Sequence, residues 1–258
     1  MKLTVLITAC LAFILSARAE IVSKPVEYRQ GDTVLEGLSV YDDATQDKRP
    51  AVLVVHQWKG LGSYEKKRAE MLAKLGYNVF AVDIYGKGIR PANPKDAASE
   101  AAKYKENRTL LRSRVLAGLE QLKHHQLTDA KKIGVIGYCF GGTTALELAR
   151  SGADVAGVVS FHGGLGTSIP AQPGAVNAKV LALHGADDPF VPPAEVAAFE
   201  EEMRKARVDW QLVAYGGAVH SFTDWDAGSD NSKGSAYNEH ADRRSWEAMK
   251  QFFAEVLK

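Results

Sequence analysis

The chain has 258 residues, of which 46% are hydrophobic and 24% are charged, and its formal net charge at pH 7 is +1. This composition excludes a disordered chain and is sufficient for one folded domain with a substantial apolar core. The charges are mixed in sign, without a basic block or a basic and aromatic stripe, which argues against nucleic acid as a partner.

The N-terminal segment has the pattern of a secretory signal peptide. A short positive start precedes the apolar run 3–15, and the sequence Ala-Arg-Ala at 17–19 matches a cleavage site. The apolar run is too short to span a bilayer comfortably. We therefore expect residues 1–19 to be removed and residues 20–258 to form a single domain that is exported to the periplasm or the medium, without stable membrane association. The alternatives are an uncleaved anchor and a lipoprotein signal at Cys10.

Beyond this segment, apolar runs alternate with longer amphipathic segments, the βαβ pattern of a mostly parallel sheet with helices on both faces. The predicted strands are 34–41, 51–56, 78–83, 132–137, 155–161, 178–184 and 210–215. The predicted helices are 64–75, 97–122 with a break near Asn107, 143–150, 193–206 and 237–257. Ligands of such sheets bind beyond the carboxyl ends of the strands, so the chemical residues are expected directly after strands.

The segment Gly137-Tyr138-Cys139-Phe140-Gly141 follows one of these strands and opens a helix. Gly-x-Cys-x-Gly in this context predicts a nucleophile elbow that carries cysteine in place of serine. The turn requires small residues at both glycine positions, and the helix N-terminus favours a thiolate. The Phe140 N–H is then expected to donate to an oxyanion. The alternative is a glycine-rich turn with an idle cysteine.

Later loops carry candidates for a base and an orienting acid. In α/β-hydrolases the chain order is nucleophile, acid, histidine. Asp187 and Asp188 follow strand 178–184, and His220 lies in a glycine-rich loop after the next strand. We expect His220 to take the thiol proton and then protonate the leaving group, while one of the two aspartates holds its tautomer.

The sequence predicts neither a metal nor a cofactor. It contains no H-x-H, H-E-x-x-H or C-x-x-C spacing. His56, His162 and His184 end strands, so they either line the pocket or lie at the sheet edge.

Together these segments resemble the dienelactone hydrolases, which are cysteine-dependent α/β-hydrolases. The resemblance covers nearly all of the mature chain and rests on the segments 56–60, 82–86, 137–142, 185–192 and 218–222. It implies the α/β-hydrolase fold and the cleavage of a small-molecule ester or lactone through an acyl-enzyme intermediate. It also implies Asp188 as the acid, because the family's acid precedes x-F-V-P, and the Trp58 N–H as the second oxyanion donor.

The sequence departs from the family at two positions. Gln57 occupies the position of a glutamate that contacts the resting thiol, and an amide cannot act as a base. Asp224 lies four residues after His220, where members that act on dienelactone have an arginine that binds the substrate carboxylate. Arg90 and Arg108 are the remaining candidates for such a role. We expect the family's chemistry on a neutral ester, lactone or thioester, and not on dienelactone itself.

Several residues near strand ends are expected to contact the substrate or the thiol, namely Gln57, Tyr85, Phe190 and Phe222. The alternative for the aromatic residues is a place in the ordinary core. Two other functions remain open for the chain: a catalytically silent ligand-binding or interaction module on the same fold, and a thioesterase or acyltransferase with the same triad.

Overall fold

One eight-stranded sheet organises the computed structural model, which describes residues 20–258. The strands are β1 (Ile21–Gln30), β2 (Thr33–Asp42), β3 (Arg49–Val55), β4 (Asn78–Val82), β5 (Thr128–Tyr138), β6 (Gly157–Phe161), β7 (Lys179–Gly185) and β8 (Trp210–Tyr215). The expected signal segment, residues 1–19, lies outside the described residues.

The strand order is β1-β2-β4-β3-β5-β6-β7-β8. The pairs β1–β2 and β2–β4 are antiparallel, and every other neighbouring pair is parallel. The central strand β3 reads RPAVLVV and is buried along almost its whole length, as expected of a parallel strand that is covered on both faces. The expectation of a mostly parallel sheet is confirmed.

The helices cover both faces of this sheet. They are α1 (Ser63–Lys74), α2 (Pro94–Glu106), α3 (Arg108–His124), α4 (Phe140–Arg150), α5 (Pro193–Ala206) and α6 (Glu239–Val256), with a short 3-10 helix at Asn231–Lys233. Apolar residues of α1 and α6 belong to one core cluster, and those of α2 to α5 belong to the other. This is the α/β-hydrolase arrangement predicted from the sequence. Within residues 20–258, no helix is both long and apolar enough to cross a membrane.

One strand differs from the sequence-based expectation, and one expected helix break is confirmed. Strand β1 was not predicted because it lies at the sheet edge and carries polar residues and Pro25, so it lacks a buried apolar run. The helical stretch 97–122 is two helices, and the expected break is at Asn107. Its side chain accepts the Leu110 N–H at 3.0 Å and so caps α3.

The sheet positions the chemical residues at the carboxyl ends of its parallel strands. Trp58 follows β3, Cys139 follows β5, His162 follows β6, Asp188 follows β7 and His220 follows β8. Adjacent parallel strands end at the same edge, so these five residues come from distant parts of the chain to one side of the molecule.

Candidate active site

The turn between β5 and α4 presents Cys139 in a strained conformation. Its backbone has φ 55° and ψ −116°, a region that non-glycine residues rarely occupy. A Cβ at Gly137 would lie 1.9 Å from the Gly141 carbonyl oxygen, and one at Gly141 would lie 2.3 Å from the Val55 carbonyl oxygen. Both glycines are therefore required by close backbone approach, which is the geometry that the Gly-x-Cys-x-Gly pattern predicts.

The structure brings the thiol, the imidazole and a carboxylate into one hydrogen-bonded row. His220 Nε2 lies 3.0 Å from Cys139 Sγ, and His220 Nδ1 lies 2.8 Å from Asp188 Oδ2. The other carboxylate oxygen of Asp188 accepts the Phe190 N–H at 2.8 Å, which fixes the direction of the carboxylate. The arrangement can transfer the thiol proton to Nε2 while Nδ1–H remains bound to Asp188.

Asp187, the other acid that follows β7, points away from the imidazole. Its Oδ2 accepts the Gly217 N–H at 3.0 Å, and its side chain is exposed. The carboxylate that pairs with His220 is therefore that of Asp188.

The electrostatics of this row favour a thiolate and an imidazolium. Burial raises the pKa of the Cys139 thiol, but the charge of His220 and its hydrogen bond outweigh this effect and lower the pKa below its usual value. The Lys105 charge and the Phe140 N–H lower it further. Burial lowers the pKa of His220, whereas the thiolate and Asp188 raise it, to about 10. At neutral pH the proton therefore resides on His220.

Two residues that line the thiol cavity, Trp58 and Phe140, are candidates to donate a backbone N–H to an oxyanion. The Phe140 N–H lowers the pKa of the Cys139 thiol, and Trp58 lines the same cavity as the thiol. Within residues 20–258, the Trp58 N–H has no hydrogen-bond partner. The arrangement can therefore supply two donors to a negatively charged oxygen on a carbon bound to Sγ.

A neutral histidine holds the loop that carries Trp58. His56 is fully buried, its Nδ1 lies 2.6 Å from the Gln57 carbonyl oxygen, and its Nε2 accepts the Ile84 N–H at 3.1 Å. Burial lowers the pKa of His56 to about 4, so the ring is neutral at neutral pH. Nδ1 therefore donates to the Gln57 carbonyl, and the ring connects this loop to Ile84 in the segment that follows β4.

A second neutral histidine lies behind the elbow. The Cys139 N–H donates both to the Phe161 carbonyl at 3.0 Å and to His162 Nδ1 at 3.1 Å. Because Nδ1 is an acceptor, the ring proton lies on Nε2, which donates to Thr223 Oγ1 at 2.7 Å. Burial and the charge of His220 keep the pKa of His162 well below its usual value. His162 therefore links the nucleophile backbone to the loop that carries His220.

The link continues into a buried polar network. Thr223 Oγ1 lies 2.6 Å from the Tyr64 hydroxyl, which accepts a hydrogen bond from Arg68 Nε at 3.1 Å. Arg68 forms a buried ion pair with Asp242, at 2.5 Å. These contacts connect α1, α6 and the His220 loop, so the histidine loop is anchored on the same face as the two helices.

An apolar cavity of about 600 Å³ lies over the thiol. Its wall includes Ala98, Ala101, Ala102 and Val191, with Lys105 and His220 as the ionisable groups besides the thiol. Its volume is in the usual range for small-molecule sites.

The residues expected to contact substrate or thiol have different outcomes. Phe190 is 61% exposed, lines the cavity and packs edge-on against the His220 ring at 5.5 Å. Tyr85 is 2% exposed and its hydroxyl donates to the Trp58 carbonyl, while Phe222 is 0% exposed and packs in the core. Neither Tyr85 nor Phe222 lines the thiol cavity, but burial and the nearby charge of Cys139 raise the pKa of Tyr85.

Gln57 lies beside the site, with its amide directed away from the thiol cavity. Its Nε2 donates to Asp224 Oδ2 at 3.1 Å, and the residue lines a neighbouring cavity instead. Of the arginines considered from the sequence, neither Arg90 nor Arg108 lines the thiol cavity. Arg90 bonds to the Leu61 carbonyl, and the Arg108 guanidinium lies 3.9 Å from Glu147.

Sequence reasoning did not assign roles to His162, Thr223 or Lys105. His162 was recognised only as a histidine at a strand end, and its partner Thr223 lies 61 residues away. For Thr223, the sequence offered one indication of a role at the site, which is its proximity to His220 in the chain. Among the described residues, no group of three or more histidine, cysteine or acidic side chains has a metal-binding arrangement.

Comparison with protein families gives one match across most of the chain. A model described as the dienelactone hydrolase family matches residues 36–257. Among named relatives, a Bradyrhizobium protein designated "Probable 2-oxo-3-(5-oxofuran-2-ylidene)propanoate lactonase" is 30% identical over 183 residues, which is 67% of this chain and 73% of that protein.

Solved structures share both sequence and fold with this chain. One called m3DLH is 37% identical, with a TM-score of 0.87, over 92% of this chain and 99% of that chain. A dienelactone hydrolase-like promiscuous phosphotriesterase from metagenomic libraries is also 37% identical, with a TM-score of 0.85 and the same two coverages.

Proposed function

The chain belongs to the dienelactone hydrolase family, hydrolases of esters and lactones, and from this we propose that it cleaves a carboxylic ester or lactone through an acyl-enzyme on Cys139. The observation that carries the proposal is the row Cys139, His220, Asp188, with contacts of 3.0 Å and 2.8 Å, at the wall of an apolar cavity. Cys139 is the nucleophile, His220 the general acid and base, and Asp188 the group that orients the imidazole.

In the first half-reaction the Cys139 thiolate attacks the carbonyl carbon, and the carbonyl oxygen becomes an oxyanion that accepts the Trp58 and Phe140 N–H groups. As the tetrahedral intermediate collapses, His220 Nε2–H protonates the departing alkoxide, and a thioester to Sγ remains. His220 is now neutral, with its remaining proton on Nδ1 bound to Asp188.

In the second half-reaction His220 Nε2 takes a proton from water, and the hydroxide attacks the thioester carbon. The oxyanion forms again at the same two donors. Collapse expels the Cys139 thiolate and leaves the carboxylic acid product, with His220 again protonated. For a lactone the alcohol and acid are the two ends of one product.

The positioning of Gln57 supports an activation that does not depend on a second base. The amide is bound to Asp224, so His220 is the base that accepts the thiol proton. The same residues support a substrate other than dienelactone. Asp224 replaces the carboxylate-binding arginine, and among residues 20–258 no arginine lines the thiol cavity.

The test is turnover of p-nitrophenyl acetate and p-nitrophenyl butyrate by residues 20–258, with Cys139→Ala as the control. A phosphotriester belongs in the same panel because of the similar phosphotriesterase. We expect turnover that Cys139→Ala abolishes, and an acylated protein in intact-mass spectra when the reaction is stopped by acid. A panel with no turnover above that variant, together with a ligand that binds tightly, would establish the silent binding module instead.

Competing acceptors separate hydrolysis from acyl transfer. With a thiol or an alcohol added to the ester reaction, a hydrolase forms the free acid as its main product. Formation of the new ester or thioester as the main product would assign the acyltransferase function to the same triad. The export of the protein is also a proposal, tested by the N-terminal sequence of the protein recovered from the periplasm or medium, which we expect to begin at Glu20.

A further inference from the structure

A second cavity, of about 460 Å³, adjoins the thiol cavity. The two share Trp58, Ser221 and Ser235 as lining residues, so a substrate bound at the thiol can extend from one into the other. The second cavity differs in chemistry because charged side chains and the aromatic residues Trp58 and Tyr64 line it.

Asp224 is a half-buried carboxylate in this wall. Its Oδ1 accepts the Asp226 N–H at 3.0 Å, and its Oδ2 accepts the Gln57 amide at 3.1 Å. Within residues 20–258, no lysine, arginine or histidine forms an ion pair with it. The carboxylate is thus held in a fixed direction by two neutral donors.

The cations that line the second cavity do not cancel this charge. Arg90 donates to the carbonyls of Leu61 and Ile89 and lies 3.6 Å from the Asp83 carboxylate, which offsets it. Lys59 is exposed, so water screens it.

The other acids of the wall add to the negative charge or leave it unchanged. Glu65 is buried, which raises its pKa, and it accepts the N–H groups of Gln57 and Gly62. Asp226 is exposed. The wall therefore combines an uncompensated carboxylate with tryptophan and tyrosine rings, which is the composition that binds organic cations.

We propose that the second cavity binds a positively charged alcohol portion of the ester, such as an alkylammonium alcohol, while the apolar cavity holds the acyl group. This inference rests on the proposed function. The acyl group remains bound to Cys139 after the first half-reaction and so occupies the cavity that contains the thiol. The alcohol leaves from the adjoining cavity, where Asp224 lies four residues beyond His220.

The experiment compares two butyrate esters of nearly equal shape. Butyrylcholine carries a quaternary ammonium, and 3,3-dimethylbutyl butyrate carries a tert-butyl group in the same place. We expect kcat/KM of the wild type to be about tenfold higher for the cationic ester, a carboxylate–cation attraction moderated by water. In Asp224→Asn the ratio should fall towards one, because the amide can still bond to Gln57 but has no charge.

Asp230→Asn is the matched control. Asp230 lies in the same loop, is exposed and does not line the cavity, so its removal should leave the ratio unchanged. Inhibition of p-nitrophenyl butyrate turnover by choline and by 3,3-dimethylbutanol gives the same comparison in the wild type, without a variant.

Wild-type turnover of both esters with a ratio of one or below overturns the inference and leaves the proposed function intact. An equal loss of preference in Asp230→Asn also overturns it, because the effect would then be one of overall charge. A wild type without Cys139-dependent turnover of any ester, p-nitrophenyl butyrate included, overturns the proposed function and this inference with it.

Discussion

At the residue scale, the central feature is a proton that resides on His220 and not on Cys139. Burial of a thiolate is unfavourable by itself, and the neighbouring imidazolium is what compensates it. Because Asp188 binds the opposite side of the ring, removal of its charge should change the pKa of the Cys139 thiol through the imidazole.

Asp188→Asn is expected to lower the pKa of His220, raise that of Cys139 and reduce kcat by roughly 10³ to 10⁴. An asparagine can present an N–H to Nδ1, which favours the wrong tautomer. The matched control is Asp187→Asn, since that carboxylate accepts only the Gly217 N–H and is exposed. Equal losses in the two variants, measured as kcat for p-nitrophenyl butyrate, would remove the distinction between the two acids.

The hydrogen bond between His162 and Thr223 provides a second prediction. Thr223→Val keeps the shape of the side chain but leaves the His162 Nε2–H without its acceptor. We expect a loss of about 1–3 kcal/mol in the free energy of unfolding and a rise in the pH midpoint of Cys139 labelling. Thr223→Ser should restore both. A labelling midpoint that stays unchanged in Thr223→Val would limit the network to a structural role.

At the scale of elements, the strand–turn–helix junction between β5 and α4 depends on backbone approach. Gly137→Ala would place a methyl group 1.9 Å from a backbone oxygen, which no side-chain rotation can relieve. We expect destabilisation of more than about 3 kcal/mol in urea unfolding, or failure to accumulate as folded protein. Gly216→Ala is the control, because nothing lies within 4 Å of that position. A Gly137→Ala protein as stable as this control would be incompatible with the described turn.

The elements also show where sequence patterns are informative. Buried parallel strands such as β3 were predicted because both faces are covered and their residues form continuous apolar runs. The edge strand β1 was missed because nearly all of its residues are exposed or only partly buried, with Pro25 among them. The break at Asn107 was expected because asparagine favours helix caps over helix interiors.

Prediction from sequence has the same limit at the site, where it depends on local patterns. The glycines around Cys139 and the order of Cys139, Asp188 and His220 are local or sequential patterns, so the sequence predicts them. The contacts of Gln57 with Asp224 and of His162 with Thr223 join residues 167 and 61 positions apart, and no local pattern records them. Tyr85 and Phe222 were assigned to the pocket because the sequence does not distinguish an aromatic residue that lines a pocket from one that packs beside it.

At the scale of the whole molecule, the Cys139–His220 pair makes stability depend on pH. The raised pKa of His220 contributes stability that is present below the ordinary value of 6.5 and lost as pH rises through about 10. The lowered pKa of Cys139 contributes stability that is present above 9.0 and lost as pH falls through the lowered value. Just below 9.0 both dependences are active and offset each other, because folding there only moves a proton from sulfur to nitrogen.

We therefore expect the difference in free energy of unfolding between the wild type and Cys139→Ser/His220→Gln to be nearly constant over the range just below pH 9.0. Above that range it should fall as pH approaches 10, since the folded wild type still holds the imidazolium proton there. Urea unfolding across this pH series measures the difference. A difference that stays flat above pH 9.0 would mean that the folded protein contains a neutral thiol and a neutral imidazole.

The most direct test of the thiolate–imidazolium pair is the pH dependence of iodoacetamide labelling of Cys139 in residues 20–258. We expect labelling with a midpoint below the free-cysteine pKa of about 8.5, and a shift of that midpoint upwards in His220→Ala while the thiol still labels. A wild-type midpoint at the free-cysteine value, unchanged in His220→Ala, would contradict the thiolate–imidazolium pair and the mechanism built on it.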